Sequence, residues 1–404
     1  MAAMAKILDV KIMFVAVVFI GSFFDGAVGA RTNILEDIDI DLHLKRLNKP
    51  AVKTIEKEDG DIIDCVDIYK QPAFDHPSLK NHKIQMRPTG YPTDGDKKAL
   101  GVPQKPRWRK SENCPQGTVP IRRTLKSDLL RAQSLESFGR RRPPQYTFAT
   151  NNAGAHENAI VLVKGDKYYG AKAEFNIWNV HVEPKEFSAA KISLLSSNDP
   201  DASSIQAGWL VHPLLFGDSK TRLFTYWTGD GFNTTGCYNM ICPGFIQVSQ
   251  DIVLGADITP LSTYNGSQYV MDLLVYKDPK NGNWWLVYGD KEPVGYWPSS
   301  LFENLDKATL VEWGGEVLNI ATGGIHTTTQ MGSGHFPSEG YGKSSYFDNI
   351  LVVDESNTYR APEGIGAFSD KPQCYDVRFD GIKTGKNMGY FFLYGGPGRN
   401  PNCQ

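Results

Sequence analysis

Two segments of this chain carry side chains suited to hydrolytic chemistry. One runs Ser204-Ile-Gln-Ala-Gly-Trp-Leu-Val-His-Pro and holds Gln206; the other runs Leu310-Val-Glu-Trp-Gly-Gly-Glu-Val-Leu and holds Glu316. A carboxylate can take a proton from water as that water attacks a carbonyl carbon, then return it to the leaving nitrogen. An amide N–H can donate to the developing oxyanion, a contribution of roughly 3 kcal/mol, while the amide oxygen orients the water. Gln206 and Glu316, facing one another across a cleft, would form such a pair. The same pattern also describes a solvated strand face with glycines at bulges.

Both segments alternate as strands do. Ile205, Ala207, Trp209 and Val211 share one face, and Gln206, Gly208, Leu210 and His212 the other. In the second segment Val311, Trp313, Gly315 and Val317 oppose Glu312, Gly314, Glu316 and Leu318. Gly208 and Gly314, beside the polar residues, read as room for a substrate backbone. Similar short runs recur from about Tyr146 onward, at 159–163, 171–181, 190–195, 223–228, 245–248, 269–277, 284–288, 345–353 and 389–393. Many short strands with turn punctuation imply an all-β antiparallel sandwich or barrel. One short helix is expected over 299–305.

The first third has a different character. Lys6 and Lys11 precede an apolar run, and Val28 and Ala30 suit a cleavage site, so residues 1–30 read as a secretory signal peptide. Residues 33–48 and 126–137 carry near-helical apolar spacing, with mixed, turn-rich sequence between them. The tribasic run Arg140–Arg142 before two prolines is expected to be exposed and open to processing. The organisation is therefore 1–30 signal, 31–145 a small mixed α/β pro-domain and 146–404 the β-sandwich. A net charge of −2 provides no basic field for nucleic acid. No later segment is apolar and long enough to span a membrane. Six cysteines in a secreted chain imply disulfides, and position pairs Cys65 with Cys114, Cys237 with Cys242 and Cys374 with Cys403. Asn233 and Asn265 head glycosylation sequons. No cofactor or metal is implied: the eight histidines do not cluster with cysteines, and His326 and His335 read as structural.

Two groups of motifs remain. The first is Leu44-Lys-Arg-Leu-Asn-Lys-Pro and Asp61-Ile-Ile-Asp-Cys-Val-Asp-Ile-Tyr-Lys-Gln-Pro-Ala-Phe-Asp-His-Pro. The second is Ala207-Gly-Trp-Leu-Val-His-Pro, Gly236-Cys-Tyr-Asn, Gly295-Tyr-Trp-Pro, Trp313-Gly-Gly-Glu-Val and His326-Thr-Thr-Thr-Gln-Met-Gly-Ser-Gly-His-Phe-Pro. On these, the chain from Leu44 to the C-terminus resembles the plant neprosin family, and the first group resembles the family's activation peptide. The resemblance implies two large antiparallel sheets and a glutamic endopeptidase that is made as a zymogen, works in acid and cuts after proline. It also implies two catalytic glutamates. The second matches Glu316; at the first this chain has Gln206, a glutamine–glutamate pairing that resembles the eqolisin peptidases. Glu174, Trp209, Tyr226 and Glu312 are further candidates for contacting substrate, with Glu174 placed on the same sheet as the pair. The implied partners are proline-containing peptides and the chain's own pro-segment, for a protein that is secreted to the exterior, wall or vacuole and monomeric. A β-sandwich that binds peptide or wall polysaccharide without catalysis is the competing reading.

Overall fold

Strand-forming residues in the second part of the chain alternate so that one side of each strand is apolar, and two sheets bury those sides against each other. The computed structural model describes residues 37–93, 114–141, 155–197, 199, 201–289, 291–321, 323–382 and 390–404. The signal segment, Arg142 and the two prolines after it lie outside the described residues. The unit Met1–Asn48 contributes an α-helix over 37–47, inside the helix expected over 33–48. From Lys49 to Gln404 the chain forms one unit.

The seven-stranded sheet runs, in spatial order, β17 (Gly366–Ser369), β4 (Ala155–Tyr168), β14 (Ala308–Asn319), β6 (Phe187–Leu195), β7 (Ser204–Val211), β8 (Arg222–Thr228) and β9 (Cys237–Tyr238). The nine-stranded sheet runs β10 (Ile246–Gln247), β13 (Glu292–Trp297), β12 (Trp284–Tyr288), β11 (Val270–Lys277), β5 (Gly170–Asn176), β15 (Ser345–Val353), β19 (Tyr390–Gly395) and β18 (Asp376–Ile382), with β16 (Tyr359–Arg360) paired to β15. The paired strands of both sheets are antiparallel, so the expected all-β antiparallel sandwich of two large sheets is what forms. Trp209 and Trp313 from the first sheet and Phe175, Trp285 and Phe347 from the second are fully buried in one shared core. The Trp209 indole N–H donates to the Asn176 carbonyl at 2.9 Å. Each buried tryptophan removes 150–250 Å² from water, or about 4–6 kcal/mol at ~25 cal/mol per Å².

The segment ahead of the sandwich builds a three-stranded sheet from β1 (Ala51–Glu56), β2 (Ile62–Asp67) and β3 (Thr118–Arg122). A short helix, Lys126–Arg131, follows and gives way to turns before 137. All three expected disulfides are present: Cys65–Cys114, Cys237–Cys242 and Cys374–Cys403. A 3₁₀ turn at Ser299–Leu301 stands where a short helix was expected. Asn233 and Asn265 are exposed.

This N-terminal segment is packed onto the sandwich. Val66, Ile68, Ala73, Leu79, Val119 and Ile121 join the same apolar core as the sandwich strands. The Gln71 amide accepts from the backbone N–H of Gln247 at 2.8 Å and donates to its carbonyl at 3.1 Å. It thereby caps the edge strand β10, whose free backbone would otherwise be a pairing template. An ion pair crosses the same boundary. Arg222 Nη1 on β8 lies 2.6 Å from Asp61 Oδ2, while Arg122 Nε, within the N-terminal segment itself, lies 2.9 Å from Asp61 Oδ1.

Burial alone would raise the Asp61 pKa, but Arg222 and Arg122 outweigh it and hold the carboxyl below its usual 3.8. A depressed carboxylate stabilises the folded state fully above 3.8 and loses that contribution as pH falls through the lower folded value. The N-terminal cover should therefore resist added protease at about pH 5 and become susceptible only below about 3.8. Limited proteolysis across that range tests this, and susceptibility already at about pH 5 would rule out Asp61 as the acid-sensitive link.

Candidate active site

Strand pairing decides which side chains of the seven-stranded sheet meet, because directly opposed residues of antiparallel strands share a face. Gln206 on β7 opposes Ser193 on β6, which opposes Glu312 on β14. One row along, Gly208 opposes Lys191, which opposes Gly314. In the next row Leu210 opposes Ala189, which opposes Glu316. On the other side Gln206 opposes Tyr226 on β8, and Tyr226 opposes Tyr238 on β9. Gln206, Glu312 and Glu316 thus stand on the same face of one sheet, with Lys191 on the strand between them. The face is covered rather than solvated: every residue of β7 is buried, with Gln206 at 5% exposure and Glu316 at 4%.

Three groups converge on Glu316. Lys191 Nζ makes a short contact to Oε2. His156 Nδ1 is 2.6 Å from Oε1. Arg141 Nη1 lies 3.3 Å from Oε2 and 3.5 Å from Oε1. Burial works to raise the Glu316 pKa, but Lys191, Arg141 and the His156 hydrogen bond overcome it and hold the carboxyl well below 4.5. Glu312 moves the other way. Its burial raises it above 4.5; Lys191 opposes this, while the negative charges of Glu316 and Asp370 add to it. Two carboxyls four residues apart on a single strand thus have their pKa values pushed in opposite directions. The Gln206 Oε1 atom is buried and has no hydrogen-bond partner among the described residues.

Arg141 reaches this face from the N-terminal segment. Its backbone N–H donates to the Tyr226 hydroxyl at 3.2 Å and its Nε to the Tyr238 hydroxyl at 2.7 Å. Just before it, Gly139 accepts from the Tyr238 N–H at 2.9 Å, and Arg140 Nη1 donates to the Thr234 carbonyl at 2.7 Å. Gly139 has φ +74, and a Cβ there would lie 2.6 Å from the Ile241 side chain. Only glycine lets the strand pass so close to the loop closed by Cys237–Cys242. Nearby His212, half-buried, is pushed down to about 3, first by burial and then by the Arg141 charge.

Residues 184–397 match the Neprosin family model, and residues 54–162 match the Neprosin activation peptide. The chain belongs to the neprosin family. The neprosin activation-peptide match covers Arg141 and His156 and runs into β4. Among solved structures, the chain is similar to scytalido-glutamic peptidase bound to a transition state analog inhibitor, with 10% identity over 60% of this chain and 98% of that one and a TM-score of 0.34. A second similarity is to SCP-B, a member of the eqolisin family of peptidases, in complex with the tripeptide Ala-Ile-His, at 9% identity over 60% of this chain and 97% of that one and a TM-score of 0.30. Similarity of this order bears on neither the neprosin fold nor the site.

Several expectations need correction. Glu174 lies on β5 of the nine-stranded sheet, opposite Asp272 and Asp348, and so does not share a sheet with Glu316. Trp209 points into the core between the sheets and walls no cleft. Tyr226 and Glu312 do stand on the site face. Gly208 and Gly314 serve their own sheet: a Cβ at Gly208 would lie 1.9 Å from the Ala190 carbonyl oxygen, and one at Gly314 2.4 Å from that of Ala159. They permit close approach of neighbouring strands rather than of a substrate. The tribasic run is not uniformly exposed, since the Arg141 side chain is only 5% exposed. His326 is held by Glu157 at 2.8 Å and His335 by Glu339 at 2.8 Å.

Lys191, Arg141 and His156 were not identified as site residues from the sequence. Lys191 had a signal: it is a charge inside the otherwise apolar or small-residue run Phe187–Leu195, in phase with Ala189 and Ser193. His156 carried none.

Proposed function

We propose that this chain is a secreted glutamic-type endopeptidase made as a zymogen, in which residues 31–145 are releasable and residues 146–404 are catalytic. The observation that carries the reading is the capping of the buried Glu316 carboxylate by Arg141 from the activation segment. With Arg141 withdrawn, Glu316 takes a proton from the attacking water and returns it to the leaving nitrogen. The Gln206 amide N–H donates to the oxyanion, and its partnerless Oε1 accepts from the water. Lys191 and the His156 hydrogen bond, which both stay with the sandwich when Arg141 leaves, continue to lower the Glu316 carboxyl, which suits a base that works at acidic pH. Lys191 has two consequences: its ammonium adds positive charge where the oxyanion forms, and it weakens Glu316 as a base.

Lys191→Gln is accordingly expected to let the Glu316 pKa rise. The acid limb of the kcat/KM profile should move upward by about one to three pH units. An unmoved limb would separate Lys191 from the base.

Cleavage after proline is the specificity that the family resemblance implies, and a quenched peptide containing proline tests it on purified, acid-opened protein. Cleavage on the C-terminal side of proline is the expected result. Absence of cleavage in the wild type, regained in Gln206→Glu, would favour the second reading, a silent sandwich that binds peptide or wall polysaccharide. The observation on that side is the buried Lys191–Glu316 pair, both residues of which belong to the sandwich and stay together when Arg141 leaves.

A further inference from the structure

The space around the Arg141 guanidinium is built by the sandwich alone. Its carbon lies 4.7 Å from the ring centre of Tyr226 and 5.1 Å from those of Phe187 and Tyr238. These rings come from β8, β6 and β9, and Glu316 on β14 closes the remaining side. None of the four belongs to the activation segment before residue 146. The rings also brace one another and their neighbours: Tyr226 meets Tyr238 edge-on at 4.8 Å, and His212 stands 5.4 Å from Phe187 and 6.0 Å from Tyr238. The walls are therefore held in place without the arginine. A planar guanidinium suits such a site better than an ammonium, because it stacks on rings while its fork donates at the edge. Here Nε serves the Tyr238 hydroxyl and Nη1 serves Glu316, while the buried Nη2 has no partner among the described residues. Gln206 is in register with Tyr226, so the aromatic cage adjoins the proposed reacting centre.

We propose that this cage is a binding subsite for the arginine side chain of an inhibitory peptide ligand, and that Arg141 occupies it as an internal mimic. The inference rests on the reading of residues 31–145 as a releasable cover. Because Glu316 closes the cage, an arginine seated there caps the carboxylate as Arg141 does, so the ligand class is arginine-bearing peptides that compete with substrate.

The test begins with binding, which needs no catalysis. Full-length Arg141→Ala leaves the cage empty, and Arg141→Gln is a shorter, uncharged second variant should the first fail to fold. Each is titrated calorimetrically with N-acetyl-arginine amide and with N-acetyl-citrulline amide, which has the same shape and no charge. Saturable one-to-one binding of the arginine compound is expected, at least tenfold tighter than citrulline, with none in the wild type whose cage is filled. Adding Tyr238→Phe to the Arg141 variant should weaken arginine binding several-fold. Equal binding of the two compounds, or no binding by cooperatively folded variants, overturns the proposal. In a second arm, acid-opened wild type cleaving an arginine-free quenched peptide is given N-acetyl-arginine amide or N-acetyl-citrulline amide. Competitive inhibition at least tenfold more potent by the arginine compound supports the subsite, and equal or no inhibition overturns it. Arginine binding without any cleavage upholds the subsite while refuting the peptidase reading.

Discussion

Replacing Glu316 with glutamine is expected to abolish peptide cleavage by the opened protein, with a fall in kcat/KM of roughly 10²–10⁴. An amide takes no proton from water at any working pH, so the loss should be full above the acid limb of the wild-type profile and shrink below it. The substitution has a second effect. Glu316 is the shared counter-charge of Lys191 and Arg141, whose side chains are each 5% exposed. Removing one member of a buried charge cluster leaves the others uncompensated, at a cost of about 3–5 kcal/mol. The variant should therefore melt lower, and its Arg140–Arg141 arm should be cut more readily by added trypsin, while it remains inactive. Activity and arm release are read on the same sample by quenched-peptide assay and gel. Retained cleavage would remove Glu316 from the chemistry. Lost cleavage with an arm as protected as in the wild type would mean that the aromatic rings, not the carboxylate, hold Arg141.

How much of this site the sequence revealed follows from what strand alternation can and cannot encode. Period-2 patterning placed Gln206, Glu312 and Glu316 on one face and Trp209 and Trp313 on the other, because burial of one face fixes the phase. It could not say which sheet a strand joins. Glu174 alternates as well as Glu316 does, yet β5 is central to the other sheet. Nor could it say who meets whom across strands: Arg141, His156 and Lys191 come from three separate segments and converge only through pairing and the path of the activation segment. The glycines misled for a similar reason, since a neighbouring strand's carbonyl and a ligand's backbone call for the same absence of Cβ. Strand β13 is not among the runs expected from the sequence, and Pro293 and Gly295 interrupt its alternation. In the fold they sit beside a register shift between Leu286 and Val287, where the ladder tolerates them. The disulfides were readable because each pair is local in position and the cysteines are few.

The boundary between cover and sandwich offers the other large effect. Arg222 is on β8, in phase with Phe224 and Tyr226, and its side chain is 1% exposed. It donates to Asp61 at 2.6 Å, to Asp218 at 2.6 Å and to the Gly255 carbonyl at 2.7 Å, and lies over the Phe216 ring at 5.0 Å. Arg222→Met keeps the volume and the ring contact but leaves Asp61 in a buried site with only Arg122 as counter-charge. The cost should be about 3–5 kcal/mol, a large share of the roughly 5–15 kcal/mol that holds a folded protein together. Asp218 is 31% exposed and can turn to water, so the penalty falls mainly on the Asp61 side, where the cover attaches. The full-length variant should thus expose its Arg140–Arg141 arm to added protease near neutral pH, where the wild type stays resistant. A second substitution, Asp61→Asn, separates this account from general loosening. It removes the orphaned charge, so the double variant should regain about 1–3 kcal/mol and part of the protection. If Asp61→Asn instead adds its own cost to that of Arg222→Met, the pair is not what fastens the cover, and its acid release must be sought in the Arg141–Glu316 contact.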